Sequence, residues 1–246
     1  MTYKPFHIHG GTRDSRFLIT CDHAANTVPE FINGGDLGLA EADMSRHIAY
    51  DVGAAGVTRA LADALGCAAV LSNFSRLVID PNRGADDPTL LMKLSDGAII
   101  PANRHADDAE VSRRRSALYD PYHEALAALA ARREDTVIIA MHSFTPQMQG
   151  RAPRPWHVGV LWAEDGRYAH PLIQRLKEEA DLCIGDNEPY TGYLPGDAID
   201  THATAHGRPN ALIEIRNDLI ETDQQQRGWA TRLAPILLDA LSRSGV

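Results

Sequence analysis

DTVIIAMHSF, residues 135–144, carries five apolar residues in succession, Val137 to Met141, and then stops on a histidine and a serine. A run this short, rich in β-branched residues and opened by a polar pair, reads as a strand buried on both faces, as strands are inside a parallel sheet. Similar runs lie on either side: RFLITCDH (16–23), CAAVLSNFS (67–75), WHVGVLWA (156–163) and PNALIEIRND (209–218). Helical patterns fall between them. Residues 41–66 place Ile48, Val52, Ala55, Leu61 and Leu65 near helical spacing, with Gly66 as a C-cap. Residues 110–134 form a second helical stretch that Pro121 should kink or divide. HPLIQRLKEEADL (170–182) and residues 224–245 complete the set. Strands alternating with helices predict an α/β fold with a mostly parallel sheet. No repeat, low-complexity tract or linker divides the chain, so one domain is expected over residues 1–246. The Gly-, Asp- and Pro-rich stretches 80–108 and 185–209 read as long loops, which often carry function.

Composition narrows the function. A length of 246 residues permits one sizeable core. The net charge of −9 argues against a general nucleic-acid or anionic-membrane binder, since phosphate surfaces are met by clustered Lys and Arg. A local cationic pocket for a small anion stays compatible with it. Cys21, Cys67 and Cys183 are odd in number and form no CxxC pair, which suits a reducing compartment. Without an apolar leader or a membrane-length apolar run, the expected location is cytoplasmic. The oligomeric state is not legible.

The strands share a habit: each ends in reactive residues. The first delivers Cys21, Asp22 and His23. SRLVIDPNRG (75–84), read as the end of a buried strand, delivers Arg76, Asp80, Asn82 and Arg83. DTVIIAMHSF delivers His142 and Ser143, and ALIEIRND delivers Glu214, Arg216 and Asn217. Ligands of open α/β sheets bind outside the carboxyl ends of the strands, so the four clusters are expected to converge on one crevice. His23 and His142 suit two neutral imidazole ligands of a zinc ion, with Asp22, Glu30 or Asp51 as a carboxylate third ligand. Asp51 is expected on the helix that follows His23. Glu214, a carboxylate inside an apolar strand, reads as a general base or as the ion-pair partner of Arg216, which shares its face. Arg83 offers a guanidinium fork for a carboxylate, with Asn82 beside it, although DPNRG is also ordinary turn chemistry. A metal-independent route would use Ser143 or Cys21 as nucleophile, but no G-x-S-x-G elbow surrounds the serine. The glycines at 9–11 and 33–35 lack a dinucleotide-binding context.

LITCDHAANTVPE, HIAYDVGA, SRLVIDPNRG, IIAMHSFTP, VGVLW and NALIEIRNDLI, in this order, resemble the N-formylglutamate amidohydrolase (deformylase) family, from about residue 16 to about residue 240. The resemblance implies a three-layer α/β/α fold with a mostly parallel mixed sheet, zinc-dependent-exopeptidase-like (phosphorylase/hydrolase-like) and distantly related to the zinc carboxypeptidases and aspartoacylase. It implies hydrolysis of an N-formyl or related N-acyl amino acid such as N-formylglutamate, as in histidine degradation. Carried over position by position, it implies one zinc ion on His23, Asp51 and His142, with Glu214 as the base. Arg76 or Arg216 is expected at the oxyanion, and Asn82 and Arg83 on the substrate carboxylate. His206, in TAHGRPN, is a further candidate substrate contact. One departure stands out. The carboxypeptidases carry H-x-x-E in the first block, whereas the third residue after His23 is Asn26. A small-molecule binding protein that keeps the pocket without the hydrolysis is the alternative this departure supports.

Overall fold

The computed structural model describes residues 3–148 and 150–246. Among the described residues there are nine strands: β1 (Phe6–His9), β2 (Phe17–Cys21), β3 (Ala68–Ser72), β4 (Leu94–Ser95), β5 (Ala98–Ile99), β6 (Val137–Phe144), β7 (Val158–Leu161), β8 (Ile184–Asp186) and β9 (Asn210–Arg216). Seven of them form a sheet in the order β1-β3-β2-β6-β9-β7-β8, and β4 pairs with β5 in a small hairpin. The central strands β3, β2, β6 and β9 run parallel, β1 and β7 are antiparallel to their inner neighbours, and β8 is parallel to β7. The helices are α1 (Glu41–Met44), α2 (Ala54–Leu65), α3 (Asp108–Arg114), α4 (Asp120–Ala130), α5 (Ala169–Lys177), α6 (Ala198–His202) and α7 (Asp223–Ser244).

Period-two alternation along the inner strands builds the layers. Ile19, Ile139, Met141 and Ile213 face Val57, Leu61, Leu172 and Leu233 of α2, α5 and α7. Leu18, Ile138, Ala140 and Leu212 face Tyr122, Leu126 and Ile199 of α4 and α6. Both faces of β6 are therefore buried, and a side chain such as Ile139 contributes roughly 1.5–3 kcal/mol by leaving water. This is the expected α/β fold with a mostly parallel mixed sheet, helices on both faces. Weak hydrophobic signals hid β1, β8 and the β4–β5 hairpin, which are short.

Two expectations need correction. Residues 75–79 are not a strand. Ser75 donates its Oγ to the Ala49 carbonyl (2.8 Å), accepts from Leu77 N (3.2 Å), and receives Val78 N on its own carbonyl (2.9 Å). The chain turns there, and Leu77, Val78 and Ile79 enter a separate apolar cluster with Ile32, Phe74 and Leu118. Residues 41–66 are likewise not one helix, because turns separate α1 from α2 and carry Asp51. The break is held by Asp51 N donating to the His23 carbonyl (2.9 Å) and by Gly53 at φ +80°. In the third helical stretch, α3 runs into α4 without a break through a π-helical turn over Arg115–Tyr119, a widening of the helix just before Pro121 that accommodates its ring and its missing N–H.

Gly53 makes a testable demand of the sequence. A Cβ there would stand 2.2 Å from the Ile220 carbonyl oxygen, on a backbone that L side chains rarely adopt. Gly53→Ala should cost about 2 kcal/mol or more and lower the Tm by roughly 4–8 °C. A thermal melt matching the wild type would show that the 45–53 segment relaxes freely.

Candidate metal centre

The carboxyl ends of β2, β6 and β9 bring the reactive residues together. His142 and Glu214 are register partners on adjacent strands. They share the face of Ala140 and Leu212, which is the α4–α6 side of the sheet. Asp22 and His23 follow β2 directly, and the backbone bond from Asp51 to His23 lays the 45–53 turn across the strand ends. One ligand atom from each of His23, Asp51 and His142 lies within 4.8 Å of the other two, and all three residues are buried.

Hydrogen bonds fix how each imidazole faces. His23 Nε2 bonds Asp80 Oδ1 at 2.7 Å, which leaves Nδ1 directed at Asp51 Oδ2, 3.5 Å away and without a hydrogen-bond partner. His142 Nε2 meets Asp22 Oδ2 at 3.2 Å, and its Nδ1 lies 2.9 Å from the same Asp51 Oδ2. Tyr122, from α4, donates its hydroxyl to the other oxygen of Asp22. Burial alone would raise Asp22 and Asp80. The hydrogen bonds from His142 and Tyr122 outweigh it at Asp22, and the hydrogen bond from His23 with the charges of Arg83 and Arg76 outweighs it at Asp80, so both stay in the acceptor-only carboxylate form. Burial, then the Arg76 charge, pushes the His23 imidazole down to about 4, so it is neutral near pH 7. With Nε2–H given to an aspartate, each ring turns a lone pair toward Asp51. In this tautomer three acceptor atoms face one another in a buried space, an arrangement that a cation reconciles. The aspartates behind the histidines fix ring orientation and tautomer, as partners of metal-binding imidazoles do.

Around this cluster, Arg76 contacts Asp51 Oδ1, with His47 Nδ1 3.4 Å from the same oxygen. Asp51 Oδ2 also accepts from Ser143 N at 3.3 Å. Burial lowers Arg76 and raises Glu214, whose Oε2 has no hydrogen-bond partner. Glu214 is thus a buried carboxyl beside His142, with the fixed cations Arg76 and Arg154 opposing its protonation.

Comparison with known proteins decides the family. A family model described as N-formylglutamate amidohydrolase matches residues 15–221. The chain belongs to the N-formylglutamate amidohydrolase family. Among solved structures, a gene product of Agrobacterium tumefaciens shares 34% identity at TM-score 0.93, over 100% of this chain and 98% of that one. The N-formylglutamate amidohydrolase of Ralstonia eutropha JMP134 shares 21% identity at TM-score 0.71, covering 98% and 97%, a likeness of fold. No curated protein matches the sequence.

Within this family framework the remaining candidates divide. Asn26, where the carboxypeptidases place a glutamate, donates to the Met44 carbonyl (2.9 Å) and stays outside the cluster. Glu30 is exposed. Arg216 does not partner Glu214. Immediately after β9 the chain enters a 3₁₀ turn over Asn217–Leu219, which brings Asp218 back to fork onto Arg216 at 2.8 and 3.2 Å. His206 stands exposed on the turn leading into the amino end of β9 and is not brought to the cluster. Asn82 donates its backbone N–H to Asp80 Oδ1 (2.9 Å) and accepts Ala198 N on its side chain (3.3 Å). Arg83 donates to Thr89 Oγ1 (3.1 Å) and the Asn82 carbonyl (2.8 Å). DPNRG is therefore a turn and also the device that aims Asp80 at His23. Ser143 points its Oγ at the Val52 carbonyl (2.9 Å), with no base beside it. Cys21 is packed against α2, and burial pushes its thiol up to about 12. Neither residue is placed as a nucleophile.

Sequence reasoning missed Tyr122, His47, Arg154 and Tyr190, whose ring centroid lies 5.0 Å from the Arg154 guanidinium carbon. Tyr122 sits at a core position of an amphipathic helix, where nothing in the pattern separates a buried tyrosine with a partner from an ordinary core residue. The other three lie on turns and loops whose path only the fold reveals.

Proposed function

We propose that the protein is a zinc-dependent amidohydrolase that cleaves the amide bond of an N-formyl, or related N-acyl, amino acid such as N-formylglutamate. The observation that carries this reading is the meeting of three acceptor atoms, from His23, Asp51 and His142, beside the buried carboxyl of Glu214. His23 and His142 would hold the ion through Nδ1, and Asp51 through its carboxylate. A zinc ion there supplies Lewis-acid polarisation of the amide carbonyl and makes water nucleophilic near neutral pH.

The chain's own groups do the rest. Glu214 takes the proton of the attacking water as its oxygen bonds the acyl carbon. The Arg76 guanidinium, already turned toward Asp51, answers the negative charge that develops on the carbonyl oxygen. Glu214 then gives its proton to the amine nitrogen as the carbon–nitrogen bond breaks, releasing the carboxylic acid and the free amino acid. Asn82 and Arg83 hold the α-carboxylate of the substrate at the DPNRG turn.

A panel of N-acyl amino acids, assayed with and without added zinc and after chelation, tests this directly. Formate and glutamate should appear in equal amounts from N-formylglutamate, and chelation should abolish the reaction. Activity that survives complete chelation would remove the metal from the mechanism. Stoichiometric zinc with no turnover of any N-acyl amino acid would favour a binding protein.

Asp80→Asn offers a second test. The amide presents no charge to His23 Nε2–H, so the imidazole loses basicity and orientation. Zinc affinity, read by competition with a chromogenic chelator, should weaken by roughly 10–100-fold. Unchanged affinity would mean that Asp80 serves only the turn.

A further inference from the structure

Arg154 is a cation near this site that no carboxylate answers among the described residues. Its Nη1 donates to the carbonyl and the hydroxyl of Thr145, at 3.1 and 3.2 Å. The guanidinium carbon lies 5.7 Å from the Phe144 ring centroid and 5.0 Å from that of Tyr190. Among the described residues it forms no ion pair within 4.0 Å. Of the neighbouring arginines, Arg76 already meets Asp51 and Arg216 is forked onto Asp218, whereas Arg83, like Arg154, has only neutral acceptors, Thr89 and the Asn82 carbonyl. The loop that carries Arg154 is also tied down, because Arg154 N donates to the Pro146 carbonyl at 2.8 Å.

Position makes this cation a receptor for substrate. Phe144 lies two residues past His142 on β6, hence on the same face and about 6–7 Å further along the strand. Arg154 sits over that ring. In a glutamate derivative, four bonds separate the amide nitrogen from the side-chain carboxyl carbon, on the order of 5 Å when extended. The DPNRG turn is a separate element from the one that carries Arg154: it follows β3 in the chain and meets the start of α6, where Ala198 N donates to Asn82 Oδ1 at 3.3 Å. Burial raises Glu214 and Tyr190 and lowers His47, and the Arg154 charge acts on all three, which places it within the electrostatic reach of the site.

We propose that Arg154, braced by Thr145 and stacked near Tyr190, receives the side-chain carboxylate of an acidic N-acyl amino acid and selects dicarboxylates over neutral substrates. The proposal rests on the amidohydrolase reading, with Asn82 and Arg83 on the α-carboxylate. A partly desolvated guanidinium rewards a matched carboxylate and leaves its amide isostere with a poor partner.

The test compares kcat/KM for N-formylglutamate and N-formylglutamine in the zinc-loaded wild type, Arg154→Met and Arg154→Lys. The wild type should prefer the acid by about tenfold or more. Arg154→Met should lose most of that preference, read as the ratio of the two kcat/KM values so that any change common to both substrates cancels, and Arg154→Lys should keep part of it. A preference unchanged in Arg154→Met overturns the proposal. Calorimetric binding of glutarate and of its monoamide makes the same comparison without turnover. Tighter binding of glutarate that disappears in Arg154→Met supports the receptor role even in a protein that hydrolyses no N-formyl amino acid, a result that sinks the amidohydrolase reading alone. Should neither variant fold, a wild type that treats acid and amide alike overturns the proposal, and one that prefers the acid in both assays supports it.

Discussion

Glu214→Gln is expected to lower kcat by roughly two to four orders of magnitude with the zinc content unchanged. Glutamine keeps the shape and the hydrogen-bonding capacity of the side chain and removes only its ability to take and return a proton. The location supports so large an effect. Glu214 is the register partner of His142, is buried, and leaves Oε2 without a hydrogen-bond partner. Its charge has no structural counterpart in the strand, because Arg216 is forked onto Asp218. A purely structural glutamate would show the opposite pattern: near-normal kcat in Glu214→Gln, with the loss confined to thermal stability. Zinc measured alongside kcat separates a lost proton acceptor from a disturbed metal centre.

The sequence made the strand ends legible and left the paths between them obscure. Val137–Met141, Phe17–Cys21 and Asn210–Arg216 announce themselves because a strand buried on both faces must be apolar throughout, and each does end beside the cluster. Burial also made Glu214 conspicuous, since a carboxylate in such a strand needs a reason. Asp51 is a different case. Its block could be matched by resemblance, yet its apolar spacing suggested a helix. Tertiary contacts override that local preference, through the Asp51–His23 backbone bond and the close approach of Gly53 to Ile220. SRLVIDPNRG misled for a related reason: three apolar residues in succession satisfy a turn packed into a side cluster as well as they satisfy a strand. The aspartates that aim the histidines were visible as residues but not as partners. Asp22 and Asp80 are separated from their histidines by 120 and 57 positions; the β2–β6 pairing brings Asp22 to His142, and the DPNRG turn brings Asp80 to His23. Arg154 and Tyr190 belong to loops, and no periodicity describes where a loop returns.

His142→Ala should abolish stoichiometric zinc and activity together, and it should also remove the response of stability to chelation. Asp22, Asp51 and Asp80 are buried within one cluster, with Arg76 as the nearby fixed cation. A divalent ion that binds only the folded state stabilises it by about 4 kcal/mol when free ion stands at 1,000 times its Kd. For a chain of this length that is roughly 8–16 °C in Tm. The wild type should therefore melt lower in excess chelator by about that amount. In His142→Ala the two curves should coincide, because the remaining pair, His23 and Asp51, offers too few ligands to retain zinc against a chelator. The missing imidazole also leaves Asp22 with Tyr122 alone, so some loss of stability in both conditions is expected, and it carries no information about the metal. The difference between the curves does carry it. A His142→Ala protein that keeps one zinc per chain and still melts lower on chelation would place the ion elsewhere, and would return His142 to the role of a buried partner for Asp22 and Asp51.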